Sequence, residues 1–218
     1  MKIKLNNRLL TISDFIKEKD KVIDIGCDHG LLGIYLVLEK QITRMVSSDI
    51  NELPLKKAKE NILKYGLEKQ IELRLGSGLE CLSNDLDTIV ISGMGGLTIN
   101  EILQDIKKYD YIKKIIVSPN TDFKETRKVI TKLGFNLEKE ILVCENQKYY
   151  LISCYQKGKG QKINYNYGKL DMSEKIVKDY YLNLYHKNKL IINNLSWKHW
   201  LKKINLIVNN FKLLKKIK

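Results

Sequence analysis

The residues best suited to chemistry sit where short apolar runs end in glycine or acid. The first such stretch is Lys21-Val-Ile-Asp-Ile-Gly-Cys-Asp-His-Gly30, an apolar run that enters a glycine turn and then a helix opening at about Leu31. A turn of this kind leaves backbone N–H groups facing whatever lies above the strand. It also carries two acids four residues apart, Asp24 and Asp28, with His29 beside the second. Acids at such a turn suit a ligand with hydroxyls and a positive charge better than a pyrophosphate. The spacing of Gly26, Gly30 and Gly33 is G-x-x-x-G-x-x-G, which is not the three-glycine dinucleotide fingerprint. The turn therefore points to a nucleoside-type cofactor without phosphates, of which S-adenosylmethionine is the common one.

In an open α/β sheet ligands bind beyond the carboxyl ends of the strands, and four more ends follow the first. The second closes on Ser47-Ser-Asp-Ile50, where Asp49, with Ile50 beside it, is placed to accept both hydroxyls of a ribose; the alternative is a helix N-cap. The third reads Gly76-Ser77-Gly78, a tight turn able to approach an adenine ring. The fourth, Ile91-Ser-Gly-Met-Gly-Gly-Leu97, has three glycines in four residues and offers Gly93 and Met94 to a ligand through close backbone approach and free amides. It lacks the Asn/Asp-Pro-Pro-aromatic element of enzymes that methylate exocyclic amines. The fifth, Ser118-Pro-Asn120, sets Asn120 where it can present a donor and an acceptor to a base edge, or serve an ordinary turn.

The elements that must position these ends are legible as periodicities. Residues 5–17 place Leu5, Leu9, Ile12, Phe15 and Ile16 on one helical stripe. Strand-like runs at Lys21–Gly26, Thr43–Asp49, Ile71–Leu75, Asp87–Ser92 and Lys114–Ser118 then alternate with helical segments near 30–39, 53–65, 97–108 and 122–133. That alternation predicts a parallel sheet with helices on both faces. Two late runs at about 135–143 and 148–155 are joined only by Glu145-Asn-Gln-Lys148, too short for a parallel crossover, so they form an antiparallel hairpin. The fold class expected is α/β, a six-strand Rossmann-like sheet of the class I methyltransferase type with an antiparallel last strand. Residues 157–168 read as a Gly/Lys/Asn linker, dividing the chain into 1–157 and 158–218. Beyond it, Ile176, Val177, Tyr180, Tyr181, Leu184, Ile191 and Leu195, with Ser173 as N-cap, form one helical stripe. Trp197, Trp200, Leu201, Ile204, Ile207, Val208, Phe211 and Leu214 form another. Packed together these make a C-terminal α-helical hairpin of coiled-coil type.

Charge separates the same two parts. Of the net +14, +12 falls from Lys157 onward, where 15 lysines face Asp171, Glu174 and Asp179. A concentrated basic face is the electrostatic footprint of a nucleic-acid contact. The four cysteines show no C-x-x-C pairing, so they are expected as reduced core residues, with no metal site. No apolar run is long enough to cross a bilayer and the N-terminus has no signal-peptide core, which predicts a cytoplasmic protein without membrane partners, expected as a monomer.

Asp24-Ile-Gly-Cys-Asp-His29, the acid of Ser48-Asp-Ile50, Gly76-Ser-Gly-Leu79, Ser92-Gly-Met-Gly-Gly96 and Ser118-Pro-Asn120, in this order, resemble the TrmK family of bacterial tRNA (adenine-22-N1) methyltransferases. The resemblance extends from Leu5-Asn-Asn-Arg-Leu9 to the C-terminal hairpin. Three departures stand out: the family usually has Gly-Asp-Gly at 76–78, Gln at Ser118, and Ala-Tyr at Gly30-Leu31. The resemblance implies S-adenosylmethionine held by Asp24, Gly26, Asp49, Ile50, Gly76, Ser77, Gly78, Gly93 and Met94, and methylation of an adenine N1 in tRNA. The N1 lone pair attacks without prior loss of a proton, so the need is to stabilise a cationic product. Asp28 is the expected catalytic group, with His29 and Asn120 beside it; Arg8, Lys198 and Lys202 are expected on the RNA. Two other readings stand: a related enzyme for another RNA, a protein or a small molecule, and a non-catalytic RNA-binding protein with a relic pocket.

Overall fold

A computed structural model describes residues 3–158, 160 and 162–217, leaving aside the side chains of Trp197 and Ile217. The chain divides into two compact units, Met1–Lys169 and Leu170–Lys218.

The first unit is built on seven strands: β1 (Lys21–Ile25), β2 (Arg44–Asp49), β3 (Ile71–Leu75), β4 (Thr88–Ser92), β5 (Lys114–Ser118), β6 (Phe135–Glu145) and β7 (Lys148–Lys157). Their order across the sheet is β3-β2-β1-β4-β5-β7-β6. The first five pair in parallel, and β7 runs antiparallel to both β5 and β6. The count is thus seven rather than the six expected, because β7 inserts between β5 and β6 and both arms of the hairpin join the sheet. The hairpin turns on Asn146 and Gln147, at φ 49° and 62°. Two consecutive left-handed residues make the primed turn whose twist matches the flanking strands.

Successive residues of each parallel strand point to opposite faces, and two apolar cores result. Ile23, Ile25, Ile89, Ile91, Ile115 and Val117 meet Ile99, Leu103 and Ile130 on one side. The last three come from α4 (Gly96–Leu103) and α5 (Phe123–Lys132). Val22, Met45, Val90 and Ile116 meet Ile12, Leu32, Ile34, Leu36 and Ile62 on the other. These belong to α1 (Asn7–Asp14), α2 (Leu31–Lys40) and α3 (Glu52–Tyr65). α1 is shorter than its stripe: Asn6 caps it, its Oδ1 accepting from the Leu9 amide at 2.9 Å, and Phe15 ends it. α4 is shorter as well, since the stretch expected to reach residue 108 breaks at Gln104 and resumes as one 3₁₀ turn, Ile106–Lys108. Cys27, Cys81 and Cys154 are buried, whereas Cys144 is exposed.

The segment expected as a free linker is tied back to the sheet. Glu140 Oε1 accepts from Arg127 Nε at 2.8 Å and from Ser153 Oγ at 2.7 Å, while Oε2 accepts the Lys169 amide at 2.8 Å. Arg127 Nη1 also donates to the Tyr165 carbonyl at 3.0 Å. Both charged side chains are buried, and this network carries the first unit out to Lys169.

The second unit holds α6 (Lys175–Asn194), a 3₁₀ turn (Trp197–His199) and α7 (Trp200–Ile217), folded back as a hairpin. Ser173 does not cap α6; its amide and hydroxyl bind Asp171 Oδ1, and Glu174 takes the cap position. The α7 face turned inward is also not the expected one. Asn210 and Leu213 are buried, and Asn210 Oδ1 accepts from Asn188 Nδ2 at 2.9 Å. Trp200, Leu201, Ile204, Ile207, Val208 and Phe211 lie on the exposed side, Trp200 at 53% and Phe211 at 59% exposure.

Removing one partner of a buried, hydrogen-bonded ion pair leaves an uncompensated charge, which costs about 3–5 kcal/mol. Arg127→Met is therefore expected to destabilise the protein by that order in denaturant unfolding. The double change Arg127→Met/Glu140→Leu should recover most of the loss. Equal stability of single and double variants would show that the network does not hold the segment.

Candidate active site

The carboxyl ends of the parallel strands are closed by one repeated device. The first amide of each following loop donates to the last carbonyls of the neighbouring strand: Gly26 N to Ser48 O at 2.8 Å, Gly76 N to Asp49 O at 3.1 Å, Gly93 N to Ser118 O at 3.0 Å. Cys27 N shares the Ser48 carbonyl at 3.0 Å. The first turn's amides at Gly26 and Cys27 are thus engaged, contrary to the expectation that they face a ligand. What the turn presents instead is side chains. Asp28 stands at φ 50°, a left-handed conformation that Asp tolerates better than most residues, and it aims its carboxylate outward. Gly30, where the family usually has Ala, stands at φ +68° with Ala58 of α3 against it, 3.1 Å from where a Cβ would be.

A cleft of about 1120 Å³ opens above these ends. It gathers Asp24, Gly26, Asp28, His29, Asp49, Ile50, Gly76, Ser77, Gly78, Gly93, Met94 and Asn120, and Arg8 as well. Arg8 was expected on the RNA; its side chain reaches into this cleft from α1. Lys198 and Lys202 belong to the second unit and are exposed. The three glycines of the fourth end have separate tasks. Gly93, at φ +81°, admits the Arg8 guanidinium, whose Nη1 is 3.2 Å from where a Cβ would stand. Gly96 admits Thr121 and Thr126, so it serves the contact of α4 with α5 rather than a ligand. A Cβ at Gly26 would overlap the Met94 methyl, so Met94 covers that turn.

Asp24 is 4% exposed, and no hydrogen bond reaches its carboxylate among the described residues. Burial pushes its pKa up to about 7; the Arg8 charge opposes this, while Asp49 and Asp28 add to it. The same burial and the same carboxylates push the Cys27 thiol up, which leaves it an inert neutral group. Asp49 Oδ1 accepts from the Asn51 amide at 2.9 Å, and Asn51 is the N-cap residue of α3. One oxygen of Asp49 therefore steadies the start of the helix, and Oδ2 is left for a ligand. Ile50 stands beside it as an exposed apolar surface.

The expected catalytic residues lie on the open side. Asp28 has a side-chain exposure of 71%, and His29 Nε2 is 3.5 Å from its Oδ2. The His29 carbonyl accepts from Asn61 Nδ2 at 2.9 Å, which fixes the backbone from α3. Asn120 Nδ2 donates to the Gly93 carbonyl at 2.6 Å, and its amide to the Met94 carbonyl at 2.8 Å. Asn120 thus locks the fourth loop to the fifth and keeps only Oδ1 for a base. Sequence reasoning missed Leu31, Glu101, Asp105, Lys108, Tyr109 and Lys148, which also line the cleft. They sit one helical turn or one strand away from the glycine and acid signals, and nothing in their own spacing marks them. Among the described residues there is no cluster of His, Cys, Asp or Glu able to hold a metal ion.

The donor set fits S-adenosylmethionine. A free carboxylate oxygen at Asp49 suits a ribose diol, Ile50 suits an apolar ring face, and Gly78 at φ +51° allows close backbone approach. No phosphate cradle is present, since the first turn's leading amides are already bonded.

Comparison with known proteins agrees with this chemistry. Residues 5–153 match a methyltransferase domain family. The chain is 32% identical over 158 residues to the tRNA (adenine(22)-N(1))-methyltransferase of Bacillus subtilis, covering 72% of this chain and 66% of that protein. It is 32% identical over 162 residues to a putative tRNA methyltransferase of Mycoplasma pneumoniae, covering 72% and 74%. Its fold is similar to that of M. capricolum TrmK in complex with S-adenosyl-homocysteine, at a TM-score of 0.86 and 27% identity over 98% of this chain and 97% of that one. With the Gly-turn, the ribose acid and the Gly-Met-Gly-Gly loop meeting in one cleft, the chain belongs to the methyltransferase-domain family and, within it, to the TrmK proteins.

Proposed function

We propose that this protein is a cytoplasmic, monomeric enzyme that transfers a methyl group from S-adenosylmethionine to N1 of adenine 22 in tRNA. The observation that carries the reading is the meeting in one cleft of a ribose-type acid, Asp49, with an outward carboxylate, Asp28, across the Gly26–Met94 contact. The names of the Bacillus and Mycoplasma relatives support the acceptor. When bound, the cofactor supplies an electrophilic methyl on a sulfonium centre.

The chain's own residues then have separable tasks. Asp49 orients the ribose through its free oxygen. Met94 and Gly26 form an apolar contact that keeps water from the reacting methyl. Adenine N1 brings its own lone pair, so no strong base is required, and the charge that develops on the base is met by the Asp28 carboxylate. His29, 3.5 Å from that carboxylate, holds it in place. The N1 edge is hidden in a base pair, so the target must be unpaired or flipped out. Lys198 and Lys202 in the basic second unit bind the tRNA backbone, which makes affinity fall steeply with salt.

Incubation of unmodified total tRNA with labelled cofactor, followed by nucleoside analysis, tests the assignment. N1-methyladenosine mapped to position 22 is expected. A different methylated nucleoside or a protein acceptor would replace it with the related-enzyme reading, and cofactor binding without any turnover would indicate a binding protein. Asp28→Asn keeps the left-handed backbone that Asn also tolerates. It should lower turnover by ~10²-fold or more with cofactor affinity nearly unchanged; a parallel loss of affinity would move Asp28 to the cofactor.

Asp24 also has a stability signature. Its folded pKa of about 7 lies above that of an unfolded carboxyl, so the folded state binds the proton more tightly. This group's contribution therefore falls as pH rises from about 4 to 7, and its full penalty is present above that. Asp24→Asn should accordingly raise the Tm of the ligand-free protein more at pH 8 than at pH 5. An equal shift at both pH values would show that the carboxyl is not strained.

A further inference from the structure

Two opposite charges in the cleft have no hydrogen-bond or ion-pair partner among the described residues: the Arg8 guanidinium and the Asp24 carboxylate. Arg8 Nε is fully buried and unpaired. Its guanidinium stacks over the Tyr150 ring, 5.1 Å from the centroid, and its Nη1 fills the space that the missing side chain of Gly93 leaves. The base of the arm is equally fixed, since α1 is capped by Asn6 and buries Ile12. A guanidinium held over an aromatic ring has lost much of its rotamer freedom before any ligand arrives. Desolvation without a partner is costly, and a buried unpaired donor of this kind signals an absent acceptor.

An exposed surface arginine reading RNA phosphates would not need its Nε buried or a glycine opposite it. A group bearing one anion and one cation a few bonds apart would match an Arg and an Asp that are both unpaired and both face the same cleft. Within the cofactor assigned above, and resting on that assignment, only the α-amino acid end has this character. We propose that Arg8 binds the α-carboxylate of the methyl donor, with Asp24 facing its α-ammonium, so that α1 is the element that positions the donor's methyl-bearing end. Lys148, whose Nζ stands 5.1 Å from the same Tyr150 ring, is exposed and hydrated and is not the anion's holder. The ammonium also accounts for Asp24: a bound cation returns to the charged form the stabilisation that burial removes.

The test is calorimetry on the full chain with two ligands, S-adenosylmethionine and 5′-methylthioadenosine, which keeps the adenosine but lacks the amino acid. Arg8→Met should weaken S-adenosylmethionine by about 10- to 100-fold, the scale of a lost charge-assisted hydrogen bond, and leave methylthioadenosine unchanged. Arg8→Lys, which keeps the charge but not the fork, should fall between, and Lys148→Met should change neither. Equal weakening of both ligands by Arg8→Met would mean a structural role and overturn the proposal. Unchanged S-adenosylmethionine binding with reduced tRNA affinity would overturn it in favour of a phosphate contact. If the wild-type protein bound methylthioadenosine and S-adenosylmethionine equally, no amino-acid site would exist. Failure of the wild type to bind either would sink the cofactor assignment itself.

Discussion

The carbonyl of Ser48 accepts the amides of both Gly26 and Cys27, and that junction between β1 and β2 sets where every acid of the cleft stands. Asp24 pairs with Ser47 and Ile25 with Ser48 in the parallel register, so the two strands end level. The shared carbonyl then bends the chain sharply through Gly26, which only a residue free to take φ +76° does without strain. Asp24 is left beneath the turn, Asp28 above it and Asp49 beside it. Since the leading amides are consumed in making the bend, recognition passes from backbone to side chains. That is a physical reason why this turn suits a cationic, hydroxyl-bearing cofactor and not a diphosphate.

Such an arrangement is unfavourable in isolation. Three carboxylates converge with one arginine near them, and the deepest has its pKa pushed up to about 7. Burying a charge without a partner destabilises a fold, and here the two apolar cores on either face of the sheet offset that cost. The rest of the chain shows what fully satisfied charges look like. Lys114 pairs with Asp20, and Arg44 holds both Glu72 and Asp85. Arg127 and Glu140 share their bonds with a serine hydroxyl and a backbone amide. Against that background the unpaired state of Arg8 and Asp24 is local, and it coincides with the cleft. Strain of this kind is what a ligand relieves when it binds, which links affinity to stability.

Much of this was legible in the chain because strand ends announce themselves. An apolar run of period-2 burial stopping at Asp, Gly or Ser places a turn, and five such stops in a row define the rim of a sheet. The two-residue connection at Asn146-Gln147 likewise allows only an antiparallel hairpin. Other features were hidden for identifiable reasons. Periodicity shows that a helix has a stripe, not which neighbour the stripe meets. α7 has apolar residues on two arcs, and the buried arc includes Asn210, whose polarity disguises it. The linker looked free because Gly, Lys and Asn are usual in loops, while its anchors, Arg127 and Glu140, lie far away in sequence. The glycines at 93 and 96 looked alike, yet one faces an arginine and the other two threonines.

The position of Arg8 follows from the topology of the sheet's far edge. A parallel strand delivers its last residues to the carboxyl end, where the cleft lies, whereas an antiparallel strand delivers its first. β7 pairs Ser153 with Val117 near the end of β5, so the residues before Ser153 run on past that end toward the rim. Tyr150 and Lys148 are among them, and Lys148 lines the cleft. α1 contacts both β6 and β7, and from there Arg8 reaches over Tyr150 to Gly93. Had the last strand been parallel, its opening residues would lie at the opposite end of the sheet and Arg8 would have no ring to rest on. The antiparallel insertion that distinguishes this sheet therefore also supplies the platform that holds a cation over the first turn.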